Sequence, residues 1–315
     1  MNWVLSEGLV SSGSVQQRRL ERIDPALLAS CVYPEMSLQT LEFSAQWMAW
    51  LFLHDDHIQR GLVNGRGAEM IALEHRLLAV LADGTMDPNA PALVTSLVSY
   101  LDAVRRAGGE RWYPFFAQDV SQYIQSNIWE LQQLMSGQTP DVETYRKMRR
   151  LGGATYTCFD FIFMDNMEGY DASVHYHAYA RTLSEMATDH VSWVNDLLGY
   201  YKEIEEGSTA NMVLVLMAHE GRTLQEALYT TATLCNQIME AFLELEQKLY
   251  ALPGMKHGAL QRQIEGFRVW MRGHIAWMNR TGRFQVRSAP TSDGYLAIDI
   301  PIIAPPDLPV RMSVH

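Results

Sequence analysis

The chain has 315 residues, 48% hydrophobic and only 19% charged, which is enough apolar material for a sizeable core and excludes a disordered chain. A formal net charge of −11 removes the Lys/Arg surplus that a nucleic-acid surface needs, and three widely spaced cysteines, Cys31, Cys158 and Cys235, fit neither a disulfide framework nor a zinc site. The first residues lack the basic start and apolar stretch of a secretory signal, and no apolar run nears the roughly 18–20 residues of a membrane span, so a cytoplasmic protein without stable membrane insertion is expected.

Residues 1–20 are rich in Ser and Gly and read as a flexible N-terminal segment. From there apolar residues recur at three- and four-residue spacing, predicting helices over about 36–54, 60–83, 89–107, 114–135, 141–165, 172–204, 209–219, 223–249 and 257–278. Gly137, Pro140, Gly169, Gly207, Gly221 and the Pro253-Gly254 pair stand at the joints, and Asp141 to Thr144 offers a helix start. With no linker and no repeat, residues 21–285 are expected to form one all-α bundle, followed by a proline-rich tail over 286–315 that can act as a cap.

Two stretches carry candidate chemistry. WLFLHDDHIQR, residues 50–60, places Asp55 and Asp56 directly after a strongly apolar run. Adjacent carboxylates repel and lose hydration on burial, so they need a cation or several donors to stay ionised. Taken alone, such a pair also fits a solvated helix end. HVSWVNDLLGYYKEIEEG, residues 190–207, puts Asn195, Gly199 and Glu203 on one helix face. Side chains lean toward the helix N-terminus, so the long Glu203 side chain reaches back over Gly199 toward Asn195. Two oxygen ligands flanking a gap suit a magnesium ion that keeps some waters and takes further oxygens from a phosphate. Arg149, Arg150, Lys202 and Arg283 are candidates for a diphosphate clamp against the acidic background.

In this order the motifs resemble the class I terpene cyclases of bacteria and fungi, over roughly residues 40–285. That family carries an aspartate-rich DDxxD/E motif, a pyrophosphate-sensing Arg, an Asn-Asp-x-x-Ser/Thr-x-x-x-Glu motif and a final Arg-Tyr pair. Here DDHIQ (55–59), Arg149, NDLLGYYKE (195–203) and Arg283-Phe284 stand in those places, with the family's spacing of 46 residues between Arg149 and Asn195. The resemblance implies a single helical domain around a central cavity, with Asp55, Asn195 and Glu203 as metal ligands. Arg149, Lys202 and Arg283 would hold diphosphate, Gly152 would be the linker, and Gly153 the effector whose carbonyl favours ionisation. Phe52 and Trp277, with Gly152 and Cys158, would line the substrate pocket; Trp47, Phe159 and Trp193 are weaker candidates.

Three positions depart from the pattern. Gln59 replaces the last acid, leaving Asp55 as principal ligand of that wall, with Asp56 either behind it or as a helix-end partner, and with Asp56, Gln59 and, through a water, Gly199 as lesser metal positions. Gly199 replaces Ser/Thr, and a water is expected in the vacated volume. Phe284 replaces Tyr. The resemblance implies about three magnesium ions acting with bound diphosphate. The substrate would be a prenyl diphosphate, farnesyl or geranylgeranyl, or a bicyclic C20 diphosphate from a separate class II cyclase, and a homodimer is compatible. The alternatives are a chain-elongating prenyl diphosphate synthase, which would carry a second aspartate-rich motif where NDLLGYYKE stands, and a non-catalytic helical binding protein.

Overall fold

The computed structural model describes residues 1–284 except 85, 88, 170, 171, 173, 174, 176, 207–209 and 252–257, with only the backbone described for 165–169, 205 and 206. Every regular element among them is a helix. The α-helices are α1 (Asn2–Ser6), α2 (Val15–Ile23), α3 (Pro25–Val32), α4 (Leu38–Val63), α5 (Gly67–Asp83), α6 (Ala92–Gly108), α7 (Tyr113–Ser136) and α8 (Val142–Gly152). They continue as α9 (Thr155–Phe159), α10 (Ala178–Glu206), α11 (Met212–Glu220), α12 (Leu224–Tyr250) and α13 (Ala259–Met278), with a 3-10 helix over Asp160–Gly169. None of the described helices is long and apolar enough to cross a membrane.

α10 is the central element, packed on α8, α11, α12 and α13. Leu183, Ala187, Val191 and Val194 recur at helical spacing along it and are buried, as are Ile264, Phe267, Met271, Ile275 and Met278 along α13. Opposite them α4 sends Trp47 and Trp50 into the core, where their indole N–H groups donate to Thr157 Oγ1 and the Leu93 carbonyl. Each wide aromatic surface is thus buried without orphaning its polar edge.

Three expectations change. Residues 1–20 are not a flexible segment: α1 and α2 dock on α4, with Val4, Val10 and Leu20 buried against Ala49 and Leu53. The helix expected to stop at 54 runs on to Val63, so Asp55 and Asp56 lie mid-helix. Its three consecutive polar residues point in different directions and each meets a partner: His54 Nε2 lies 3.1 Å from Glu74 of α5, Asp55 meets Arg283 and Asp56 meets Arg19 of α2. No terminus is needed to solvate them. Third, the helix expected over 141–165 breaks after Gly152, where Gly153 closes α8 and Ala154 takes a left-handed φ of 53° before α9 begins. The tail 286–315, with the joints at Gly207 and Pro253-Gly254, lies outside the described residues.

Candidate active site

The helices enclose a cavity of about 230 Å³. Phe52, Asp55, Asp56, Gln59, Arg149, Gly152, Gly153, Cys158, Asn195, Lys202, Glu203, Trp277 and Arg283, drawn from distant parts of the chain, all line it. Gly199 stands beneath it. Trp47, Phe159 and Trp193 do not line it: they are core residues behind the wall, with Phe159 packed on Phe267 and Trp193 beneath the Arg146 guanidinium.

On the α4 wall Asp55 opens into the cavity mouth with 56% of its side chain exposed, and Arg283 Nη2 donates to its Oδ2 at 2.9 Å. Desolvation works to raise the Asp55 pKa, but Arg283 and then Lys202 outweigh it and hold the carboxyl below its ordinary value. Asp56 behaves differently although it also borders the cavity. Its carboxylate accepts from Arg19 Nε at 2.8 Å, and burial, reinforced by the Asp55 charge, raises its pKa. Its charge is committed to α2, so the helix-end partner expected at this position is a mid-helix tether.

Across the cavity α10 presents Asn195 and Glu203. The Glu203 side chain folds back along its helix as the spacing predicts: a Cβ on Gly199 would stand 3.0 Å from Glu203 Oε1 and 3.7 Å from Phe284 Cε1. The volume expected to hold a water is therefore taken by the Glu203 carboxylate itself. Asn211, the N-cap of α11, fixes that carboxylate by donating to Oε2 at 2.6 Å and to the Asp196 carbonyl at 2.8 Å. Burial and the Asp196 charge push Glu203 up to about 7, against Arg149 and Lys202.

Arg149, near the end of α8, bridges to the same wall. Its Nη2 donates to Asn195 Oδ1 at 3.2 Å and its Nε to Asp196 Oδ1 at 3.0 Å. Burial opposes its charge, yet Asp196, Tyr145 and Glu203 hold the guanidinium above its ordinary pKa. Arg150, one residue on, is spent elsewhere: two of its nitrogens pair with Asp189 at 2.7 Å and a third with Glu185, away from the cavity lining. Gly153 follows directly, and a Cβ there would meet the Arg149 carbonyl and Ser192 Oγ, each at 3.2 Å. Any side chain would have to displace one of them.

Sequence reasoning missed several residues of this arrangement. Asp196 is fully buried and accepts from Arg149, from Tyr145 Oη at 2.5 Å and from the Met212 N–H at 3.0 Å, so it ties α8, α10 and α11 together. Its place beside Asn195 in the Asn-Asp pair was the available signal, and Asn211 could have been read as a cap before the apolar run at 212–217. Glu130 of α7 lines the cavity and is pushed up to about 7 by burial, with Asp55 and Asp196 adding to it. Ser192 Oγ and Arg283 Nη1 are buried polar atoms without hydrogen-bond partners among the described residues. Trp270 and His274 join the lining from α13.

The donor set suits a hard divalent cation together with an oxyanion. Asp55, Asn195 and Glu203 each carry a side-chain oxygen able to ligate a metal, and Arg283 Nη1 is an orphaned buried donor matched to a phosphate oxygen. Among the described residues no three His, Cys, Asp or Glu side chains gather at one point; Asp55 lines the cavity from α4, and Asn195 and Glu203 from α10.

Comparison with known proteins agrees with this geometry. The chain is 28% identical over 289 residues to a farnesyl diphosphate-cyclizing (+)-T-muurolol synthase of Roseiflexus castenholzii, covering 92% of this chain and 87% of that protein. It is also 28% identical to the (−)-delta-cadinene synthase of Streptomyces clavuligerus, covering 90% and 88%. Its fold superposes on the crystal structure of a linalool/nerolidol synthase from Streptomyces clavuligerus, in complex with 2-fluorogeranyl diphosphate, with a TM-score of 0.77 at 22% identity over 88% of this chain and 94% of that one. The profile of terpene synthase family 2, C-terminal metal binding, matches residues 46–241, more than half of the sequence; the chain belongs to that family and is a class I terpene cyclase.

Proposed function

We propose that this enzyme uses Mg²⁺ to ionise farnesyl diphosphate and folds the resulting carbocation into a cyclic sesquiterpene. The observation that carries this reading is the meeting of Asp55 and Arg283 with Arg149, Asn195, Lys202 and Glu203 around one cavity that also presents the aromatic rings of Phe52, Trp270 and Trp277. Asp55 on α4, and Asn195 with Glu203 on α10, would hold the metal. Bound there, Mg²⁺ supplies Lewis-acid stabilisation of the charge that collects on the leaving diphosphate.

The chain's own residues do the rest. Arg149, Lys202 and Arg283 orient the diphosphate, and Arg283 Nη1 is a donor with no protein acceptor to give up among the described residues. Asp196 and Asn211 hold Arg149 and Glu203 in register. Phe52 and Trp277, stacked with ring centres 5.8 Å apart, give the cavity an aromatic surface that excludes water from the cation. By its resemblance to the family pattern, the carbonyl of Gly153, in the break between α8 and α9, would favour loss of the allylic diphosphate. The choice of a C15 chain is supported by the relatives whose names specify farnesyl diphosphate.

Incubation of the purified protein with geranyl, farnesyl and geranylgeranyl diphosphate, with and without Mg²⁺, tests the reading by hydrocarbon analysis. Metal-dependent sesquiterpene from the C15 substrate is the expected result. Turnover of the C20 diphosphate in preference to the C15 would overturn the substrate assignment, and no product from any of the three would overturn the whole reading.

A further inference from the structure

A file of rings leads from the polar mouth into the cavity. The Arg283 guanidinium carbon lies 4.9 Å from the Phe52 ring centre. Phe52 stacks on Trp277, the Trp277 ring is 5.9 Å from the His274 ring, and His274 stacks on Trp270 at 5.7 Å with 22° between planes. All four rings line the cavity. Three of them are apolar surface; the third in the file is an imidazole.

His274 is 4% exposed, and its Nδ1 is buried with no hydrogen-bond partner. Burial, followed by His190 and Arg149, lowers its pKa to about 3, so the ring is neutral at physiological pH. A neutral imidazole carries one N–H and one lone pair on its two nitrogens. In the Nε2–H tautomer the lone pair sits on Nδ1, where no donor among the described residues holds it. Packing alone would be served as well by Phe, without the cost of an unpaired buried polar atom. That cost is offset only when something in the cavity supplies a proton.

We propose that His274 is the base that ends the reaction, accepting a proton from the carbon beside the final cationic centre. This rests on the prenyl diphosphate reading above. The C–H bond breaks, its electron pair becomes the π bond of the olefin, and the proton bonds to the lone-pair nitrogen, so the positive charge passes from the hydrocarbon to an imidazolium. A ring held near a pKa of about 3 is weakly basic, but a carbocation with an adjacent C–H is a far stronger acid, so the transfer runs downhill. The same low pKa ensures that the imidazolium returns its proton to water once the cavity opens. The other titratable groups of the lining are less suited. Glu130 lies among the charges of Arg149 and Asp55, and burial pushes the Cys158 thiol up to about 12 while leaving only a weakly basic sulfur.

The experiment compares product ratios, per diphosphate released, for the wild type, His274→Phe and His274→Gln with farnesyl diphosphate and Mg²⁺. Phe keeps the stack between Trp270 and Trp277 and removes the lone pair. The expected result is a fall of about tenfold or more in the share of the wild-type olefin, with alcohols or other olefins in its place, and a smaller fall for Gln. Unchanged product ratios in His274→Phe, or a wild-type product made only of alcohols, would overturn the proposal. If His274→Phe does not fold, His274→Gln is read by the same criterion. As a second measurement, deuterium at the carbon that loses its proton should shift the wild-type product ratio by a primary isotope effect, and a wild type that shows none would also overturn it. Failure of the wild type to release diphosphate from any prenyl diphosphate would instead sink the function proposed above.

Discussion

Nη2 of Arg283 donates to Oδ2 of Asp55 at 2.9 Å, closing the polar mouth of the cavity between residues 228 positions apart. Asp55 is over half exposed and Arg283 mostly enclosed, so the pair adds little to stability and its meaning is electrostatic. Arg283 lends Asp55 the positive charge that the metal would supply in turnover. Asp55→Asn should therefore cut turnover by about 100-fold or more while thermal melting moves little. Gln59→Ala, on the same helix but without the charge, should lose less than about threefold. Steady-state diphosphate release measures both, and equal losses at the two positions would contradict the assignment of Asp55 as principal ligand.

Asp196 is fully buried and accepts from Arg149, Tyr145 and the backbone of Met212. Its replacement leaves Arg149 mostly buried with its main counter-charge gone. Asp196→Ala should cost about 3 kcal/mol, read from denaturant unfolding. Asp196→Asn should lose less stability yet still lower kcat, because the Arg149 fork is no longer held against Asn195.

Glu130 carries a testable pH signature. Its carboxyl ordinarily titrates at 4.5 and is pushed up to about 7, so the folded protein binds that proton more tightly than the unfolded chain does. Stability from this group is full below pH 4.5 and is lost as pH rises toward 7, because the charged form is the one burial disfavours. Glu130→Gln mimics the protonated form. Without added metal, its melting temperature should match the wild type at about pH 5 and exceed it by about 2 °C or more at about pH 8. A gap that is constant with pH would refute the shift.

Gly199 supplies a fourth test. A Cβ there would press on Glu203 Oε1 at 3.0 Å and lie in ordinary contact with Phe284. Gly199→Ala should gain up to about 1 kcal/mol of helix stability. It should also lose turnover by about tenfold, because Glu203 must yield by a few tenths of an ångström. Melting temperature and kcat moving in opposite directions is the expected pattern.

What was legible in the sequence follows from where information is stored locally. Asp55, Asn195, Glu203 and Arg149 stood out because charge beside an apolar run and repeated helical spacing survive in one dimension, and the back-folded Glu203 over Gly199 followed from side-chain direction alone. The continuation of α4 past Asp55 was not legible, because the groups that solvate His54, Asp55 and Asp56 come from Glu74, Arg283 and Arg19 elsewhere in the chain. His274 and Trp270 were hidden for another reason. On α13 they share the three- and four-residue rhythm of ordinary core positions, and only the packing of α3, α10 and the 3-10 helix around that helix decides which of its buried residues face a void.

The Thr281 hydroxyl donates to the Ile23 carbonyl and the Gly282 N–H to the Arg22 carbonyl, so the turn that presents Arg283 is moored to α2, with Thr281 standing 259 positions after Arg22. At about 5–20 residues per second a ribosome needs roughly 10–50 s to span that interval. During it Asp55 exists without its basic partner, and the end of α2 has no turn to hold. Assembly of the cavity mouth is thus timed by translation: the helices can pack as they emerge, but the mouth closes only when the turn over residues 281–283 arrives.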